Sequence, residues 1–238
     1  MTKEFDKKKG ALPPQIKAVI FDMDGTLFDT EKISANGWFA AGEHLGCPMS
    51  EEMVTSFRGN NDAGITEKLR TFLTLPQVEE AWVVRNRYSV EQIDLYGVPL
   101  KKGLRQAFDE LKDSGIRLCV ATGSDRERAL RLCRLAGIDG DLEFCLCGSE
   151  VTKGKPAPDM YLIAANRLNL PPENCPVVED SFNGVRAAHA AACPVIMIPD
   201  MDPPDDEMRS LCDGILESLD EIPQFLRGFQ DAAETFTR

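Results

Sequence analysis

The chain has 238 residues, 43% of them hydrophobic and 28% charged, with a formal net charge of −12. It is long enough for one full core and a small second domain, and its acidity argues against a nucleic-acid partner. No apolar run reaches the roughly 20 residues of a membrane span. The lysines of MTKEFDKKKGALPPQ lead into no apolar stretch, so no secretory signal is expected there.

Residues 1–15 read as a loose tail ending in Pro13-Pro14. The stretch IKAVIFDMDGTLFDT follows. Ala18-Val19-Ile20-Phe21 has the apolar, β-branched content of a buried strand, and it breaks into Asp22-Met23-Asp24-Gly25-Thr26. Two carboxylates two residues apart past a strand end can both face the mouth of a parallel sheet, with Gly25 letting the backbone turn beside them. Such a pair suits a hard, oxygen-seeking cation and can divide nucleophilic from proton-moving work.

From Glu31 to about Leu95 the pattern is helical without a convincing strand. Ile33, Gly37, Ala40, Ala41, His44 and Leu45 keep helical spacing until Gly46 and Pro48 stop it. A short helix opens at Ser50-Glu51-Glu52, another covers Ala63–Thr74, and a long one runs from Gln77 to Tyr96. Trp38 and Trp82 are expected in the interior of this helical block.

The chain returns through Val98–Gly103 to a helix with Leu104, Ala107, Phe108 and Leu111 on one face, then to a second strand, Ile116–Ala121. That strand runs into Thr122-Gly123-Ser124-Asp125-Arg126, where Ser124 and Glu127 have the form of a capping box. A hydroxyl at a strand end before a helix N-terminus is suited to an anion. Glu143–Cys147 is a third strand, and the loop after it carries Lys155 between Gly154 and Pro156. A fourth strand, Pro176-Val177-Val178, ends in Glu179-Asp180-Ser181, with Asn183-Gly184 next; a fifth, Pro194–Ile198, ends at Asp200. Strands alternating with helices imply a doubly wound parallel sheet with its site beyond the strands' carboxyl ends.

Eight cysteines are scattered without a paired framework, and several (Cys119, Cys145, Cys175, Cys193) lie in apolar segments as small hydrophobes. Nothing downstream completes a zinc site from Cys145 and Cys147, and a reducing cytoplasm is expected.

DMDGTLFDTE resembles the opening motif of the haloacid dehalogenase superfamily, the aspartate-nucleophile phosphatases and phosphomutases. Thr122, Lys155 and Glu179-Asp180 match that family's later motifs in order, and KPAPDMYLIAANRLNLPPENCPVVEDSFNGVRAAHAA resembles the sugar-phosphate phosphatase and β-phosphoglucomutase branch. The resemblance implies an α/β core of residues 16–30 and 97–238 with an inserted helical cap, 31–96. It implies Asp22 as nucleophile and metal ligand, with Asp24 as acid/base and as a ligand through its backbone carbonyl. Asp180 becomes a further ligand, and Glu179 either a ligand or a support for one. Thr122 and Lys155 would hold the phosphoryl oxygens. Gly123, Ser124, Arg126 and Asn183 are candidate substrate contacts. Carboxylates crowded in one cleft repel by roughly 4 kcal/mol per pair at about 4 Å and an effective dielectric near 20, and all-oxygen ligands point to Mg²⁺.

The expected activity is a Mg²⁺-dependent phosphatase for a small phosphorylated metabolite, a sugar phosphate above others, acting as a monomer without membrane or nucleic-acid partners. The alternative is a β-phosphoglucomutase-type enzyme. Against it, Ser34 stands where the mutase has a histidine, and the mutase's cap arginine would fall near Asp62, in a loop whose only cation is Arg58. A phosphonoacetaldehyde hydrolase would need a Schiff-base lysine, for which Lys32 and Lys68 lack context. A dehalogenase is disfavoured by Asp24. A non-catalytic protein on this scaffold would have lost one of Asp22, Asp24, Lys155 or Asp180, and all are present.

Overall fold

The computed structural model describes residues 16–58, 60 and 62–235; the expected tail over 1–15 lies outside them. Strand β1, Ala18–Phe21, is buried at all four residues. It pairs in parallel with β2 (Arg117–Ala121) on one side and β4 (Val177–Glu179) on the other. With β3 (Leu142–Leu146), β5 (Val195–Met197) and β6 (Gly214–Ile215) the sheet has the order β3-β2-β1-β4-β5-β6, parallel throughout.

Strand periodicity explains why β1 is apolar at every position. Val19 and Phe21 enter one core with α5 (Leu104–Asp113) and α6 (Arg126–Ala136). Ala18 and Ile20 enter the other with α7 (Asp159–Arg167) and α8 (Phe182–Ala190). A strand covered on both faces has no solvent side to make polar. The strand order reverses between β1 and β4, where a doubly wound sheet leaves a crevice at its carboxyl edge. Asp22 follows the first of these strands, and Glu179 ends the second.

Between β1 and α5 lie four helices: α1 (Glu31–His44), α2 (Glu51–Phe57), α3 (Asp62–Leu69) and α4 (Leu75–Tyr96). They enclose a third apolar cluster around Trp38, Phe57, Leu69 and Val78. Trp38 meets the rings of Phe57 and Trp82 edge-on at 5.3 and 4.8 Å, an interior role for both tryptophans. The two connections run side by side, Asp29 N donating to Pro99 O and Lys101 N to Leu27 O, both at 2.9 Å.

Strand ends differ from the sequence reading by a residue, and larger differences lie elsewhere. Helix α3 stops at Leu69, and α4 begins two residues early because Gln77 Oε1 accepts from both the backbone N and the hydroxyl of Thr74. Pro76 then sits in the first turn, where a missing N–H costs nothing. Strand β6 was not anticipated; two residues carry no periodicity to read. Among the described residues, no helix is long and apolar enough to cross a membrane.

Candidate active site

The backbone places Asp22 first. Its N donates to Val178 O at 2.9 Å, fixing the residue against the end of β4, and its side chain is buried. Gly25 takes φ +82°, and a Cβ there would overlap the Asp180 carboxylate, so only glycine lets this turn close over Asp180. Thr26 donates to Asp180 Oδ1 at 2.9 Å from a buried position.

Lys155 bridges two acids: Nζ donates to Asp22 Oδ1 and, at 2.5 Å, to Glu179 Oε1. Glu179 is fully buried and saturated. Its Oε1 also accepts from the Tyr161 hydroxyl at 2.6 Å, while Oε2 accepts from the N of Asp180, the N of Ser181 and the Ser181 hydroxyl, each at 3.0 Å. A Cβ at Gly184 would overlap this carboxylate.

The charges explain the titration pattern. Burial pushes the Asp22 carboxyl up to about 8; Lys155 pulls it down, and the negative charges of Glu179 and Asp24 push it up. Asp180 is raised well above the ordinary carboxylate range by burial and by the charges of Glu179 and Asp22. Against its burial, Lys155 and Tyr161 hold Glu179 below its ordinary value. Burial works against a charged Lys155, yet Asp22 and Glu179 hold it well above its own value. Fully ionised, three carboxylates around one ammonium would leave an excess of negative charge, which on top of burial is why Asp22 and Asp180 hold on to their protons.

Asp22, Glu179 and Asp180 each offer a carboxylate oxygen, all within 4.8 Å of one another. The donors are all oxygen, and the uncompensated charge is what a divalent cation would balance, so the residues present fit Mg²⁺. The Cys145 and Cys147 sulfurs are 3.8 Å apart, and among the described residues no cysteine joins a three-ligand group.

Asp24 has a different setting. Its Oδ1 accepts from Thr30 Oγ1 at 2.5 Å and Arg128 Nη2 at 2.6 Å; its Oδ2 accepts from Ser124 Oγ at 2.7 Å and Arg128 Nη1 at 2.6 Å. Although burial opposes ionisation, Arg128 holds this carboxyl far below the usual range.

The other predicted residues separate. Thr122 is buried at the end of β2, its N on Leu146 O and its hydroxyl accepting from Ser124 N at 3.1 Å; Gly123 beside it is exposed. Ser124 does not form the expected capping box with Glu127. Asp125 caps α6, its side chain accepting from Arg128 N at 2.9 Å, which releases Ser124 to bond Asp24. Arg126 turns outward and pairs with Glu150 at 3.3 Å, because a residue two positions from Arg128 faces the opposite side of the helix. Asn183 Oδ1 accepts from Arg186 at 3.3 Å on its own helix, α8. His44 meets Glu80 at 2.8 Å and His189 is exposed, both outside the acidic cluster.

Sequence reasoning missed Arg128, Tyr161 and Arg85. The usable signal for Arg128 was its place one helical turn after Ser124. Arg85 lies on α4 three residues after Trp82. Its Nη2 donates to Ser34 Oγ at 2.6 Å, and its guanidinium lies 5.7 and 5.9 Å from the Trp38 and Trp82 ring centres.

The fold is α/β, with this polar cluster at the carboxyl edge of its parallel sheet, the place where proteins of this architecture bind their ligands. More narrowly, the chain belongs to the haloacid dehalogenase-like hydrolases, whose family model matches residues 16–192. It is 32% identical over 178 residues to the phosphorylated carbohydrates phosphatase of Thermotoga maritima, spanning 74% of this chain and 82% of that one. It is 30% identical over 207 residues to hexitol phosphatase A of Escherichia coli, spanning 87% of this chain and 93% of that one. The crystal structure of CbbY from Rhodobacter sphaeroides in complex with phosphate superposes with a TM-score of 0.75 at 28% identity, over 87% of this chain and 96% of that one.

Proposed function

We propose that this hydrolase is a Mg²⁺-dependent phosphatase of a small phosphorylated metabolite, a sugar phosphate above others, working through an aspartyl-phosphate on Asp22. The observation that carries the reading is the buried Asp22 carboxylate at the switch point, held by Lys155 and adjoining Asp180. An Asp22 oxygen attacks phosphorus as the bond to the leaving oxygen breaks, and that oxygen takes a proton from Asp24. Water then attacks the phosphoryl group, Asp24 takes its proton, and the bond from phosphorus to Asp22 breaks to release phosphate. Lys155 and Thr122 offset charge on the phosphoryl oxygens. Asp22, Asp180 and the Asp24 carbonyl would hold Mg²⁺, which when bound neutralises charge and polarises the phosphoryl group. Glu179, with both oxygens already taken, serves to fix Lys155 rather than to bind metal. Eight free cysteines fit a reducing, cytoplasmic setting.

The test is phosphate release across a panel of sugar, nucleotide and polyol phosphates, with Mg²⁺ and with chelator. Chelator-sensitive release from sugar phosphates is the expected result. Release from none of the panel, or release unaffected by chelator, overturns the reading.

A further inference from the structure

Asp24 is fully claimed. A carboxylate has about four lone-pair directions, and Thr30, Ser124 and the two Arg128 nitrogens occupy four at 2.5–2.7 Å. In that state it has no free lone pair for a water proton, and no proton to give a leaving oxygen. Arg128 has to let go before Asp24 can work.

A partly buried bidentate guanidinium does not give up its carboxylate for nothing, because a lone charge there is strongly unfavourable. Two of the protein's own substitutes are poor. The Asp125 side chain is committed to capping α6. Glu31 feels the negative charge of both Asp24 and Asp200.

A second cation, Arg85 of the helical insertion, feels the same charges. Arg85 Nη1 donates to Asn86 Oδ1 at 2.9 Å and Nη2 to Ser34, while its Nε is buried with no partner. Burial and the positive charge of Arg128 pull Arg85 down, while Asp24, Glu31 and Asp62 hold it up. Two guanidiniums within each other's field, one with an unfilled buried donor, form a receptor for an anion.

Resting on the phosphatase reading above, we propose that Arg128 is a positioning residue that exchanges Asp24 for an anionic substituent on the leaving-group half of the substrate, with Arg85 completing the receptor. A carboxylate or a second phosphate supplies the same chemistry. Substrates that carry one release Asp24 for proton transfer; neutral polyol phosphates leave it clamped.

Three substrates on one six-carbon chain test this: sorbitol 6-phosphate, 6-phosphogluconate and sorbitol 1,6-bisphosphate. In the wild-type enzyme, kcat/KM for at least one anionic member is expected to exceed that for sorbitol 6-phosphate by about fivefold or more. Which member wins identifies carboxylate or phosphate as the source. Arg128→Ala is expected to shrink that ratio by about fivefold or more. Arg128→Lys keeps the charge without the fork and is expected to fall between them. A merely structural role would lower all three substrates together and leave the ratio intact. A smaller wild-type preference, or a ratio unmoved in the variants, overturns the inference, and the wild-type arm decides even if a variant does not fold. Acetyl phosphate separates the two levels, since acetate leaves without a proton from Asp24. If the enzyme releases phosphate from acetyl phosphate but shows no preference, this inference alone falls; with no release from any of the four, the phosphatase reading falls as well.

Discussion

Asp22 and Asp24 are two residues apart in sequence, yet they belong to opposite electrostatic regions. Around Asp22 the crevice gathers three carboxylates, Asp22 and Glu179 buried and Asp180 half-buried, against one lysine, and burial pushes the Asp22 carboxyl up to about 8. On the α6 side, Asp24 lies in the fork of Arg128 and its carboxyl is held far below the ordinary range. In the proposed reaction the first region is completed by a cation, while the second, already neutralised, has to be opened. Spacing brought the two carboxylates to one edge, and their surroundings pushed their titrations in opposite directions.

The comparison breaks most completely at Asp22. Asp22→Asn is expected to lower turnover to about 10⁻⁴ of wild type or less, since a carboxamide is no nucleophile for phosphorus. Circular dichroism and thermal melting should show a folded protein, and measurable phosphatase activity in a clean preparation would remove the nucleophile assignment.

At Asp24 the effect should be smaller and different in kind. Asp24→Asn keeps the backbone carbonyl but loses the acid/base group, so turnover should drop by roughly 10²–10⁴ while Mg²⁺ still binds. Calorimetric titration of Mg²⁺ checks this. A loss of affinity as large as that in Asp180→Asn would move Asp24 to the metal-binding side of the comparison.

The strand-borne half of this picture was legible because each polar residue follows directly on an apolar run: Asp22 after Phe21, Thr122 after Ala121, Glu179 and Asp180 after Val178. The α6 half was not. Arg128 meets Asp24 across 104 positions, and an arginine early in a helix reads as a solvated one. Ser124 with Glu127 fitted a capping motif, but Asp125 is one residue better placed and took the cap. Tyr161, within DMYLIAA, reads as core; its hydroxyl becomes chemical only through Glu179, 18 residues on. Position 62 holds an aspartate, but Arg85, 23 residues later on α4, brings a cation whose charge Asp62 feels.

That cation sharpens the choice between hydrolysis and phosphoryl transfer within one sugar. Arg85 is tied to Ser34, the position where the resemblance puts a mutase's histidine. With β-glucose 1-phosphate and a catalytic amount of the 1,6-bisphosphate, free phosphate should appear faster than glucose 6-phosphate. Isomerisation outrunning release by about tenfold, a difference near 1.4 kcal/mol in barrier, would favour the mutase.

The smallest effect is thermal, and it tests whether the Asp22 region really carries unneutralised charge. Asp22, Asp180 and Glu31 have raised carboxyls, to about 8 and about 7 for Asp22 and Glu31. Between the ordinary carboxylate value near 4 and these folded values, the native protein binds protons that the unfolded chain has released. Stability of the metal-free protein therefore falls as pH rises through that window. Asp24 and Glu179 have lowered carboxyls, so they stay ionised across it and do not reverse the sign. Mg²⁺ competes with those protons and binds best where they have left. Saturating Mg²⁺, compared with chelator, should thus raise Tm by about 3 °C more near pH 8 than near pH 5.5, about 1 kcal/mol for a chain of this size. Asp180→Asn should shrink the difference. An equal Mg²⁺ increment at both pH values would mean that Asp22 and Asp180 do not exchange their protons for the metal.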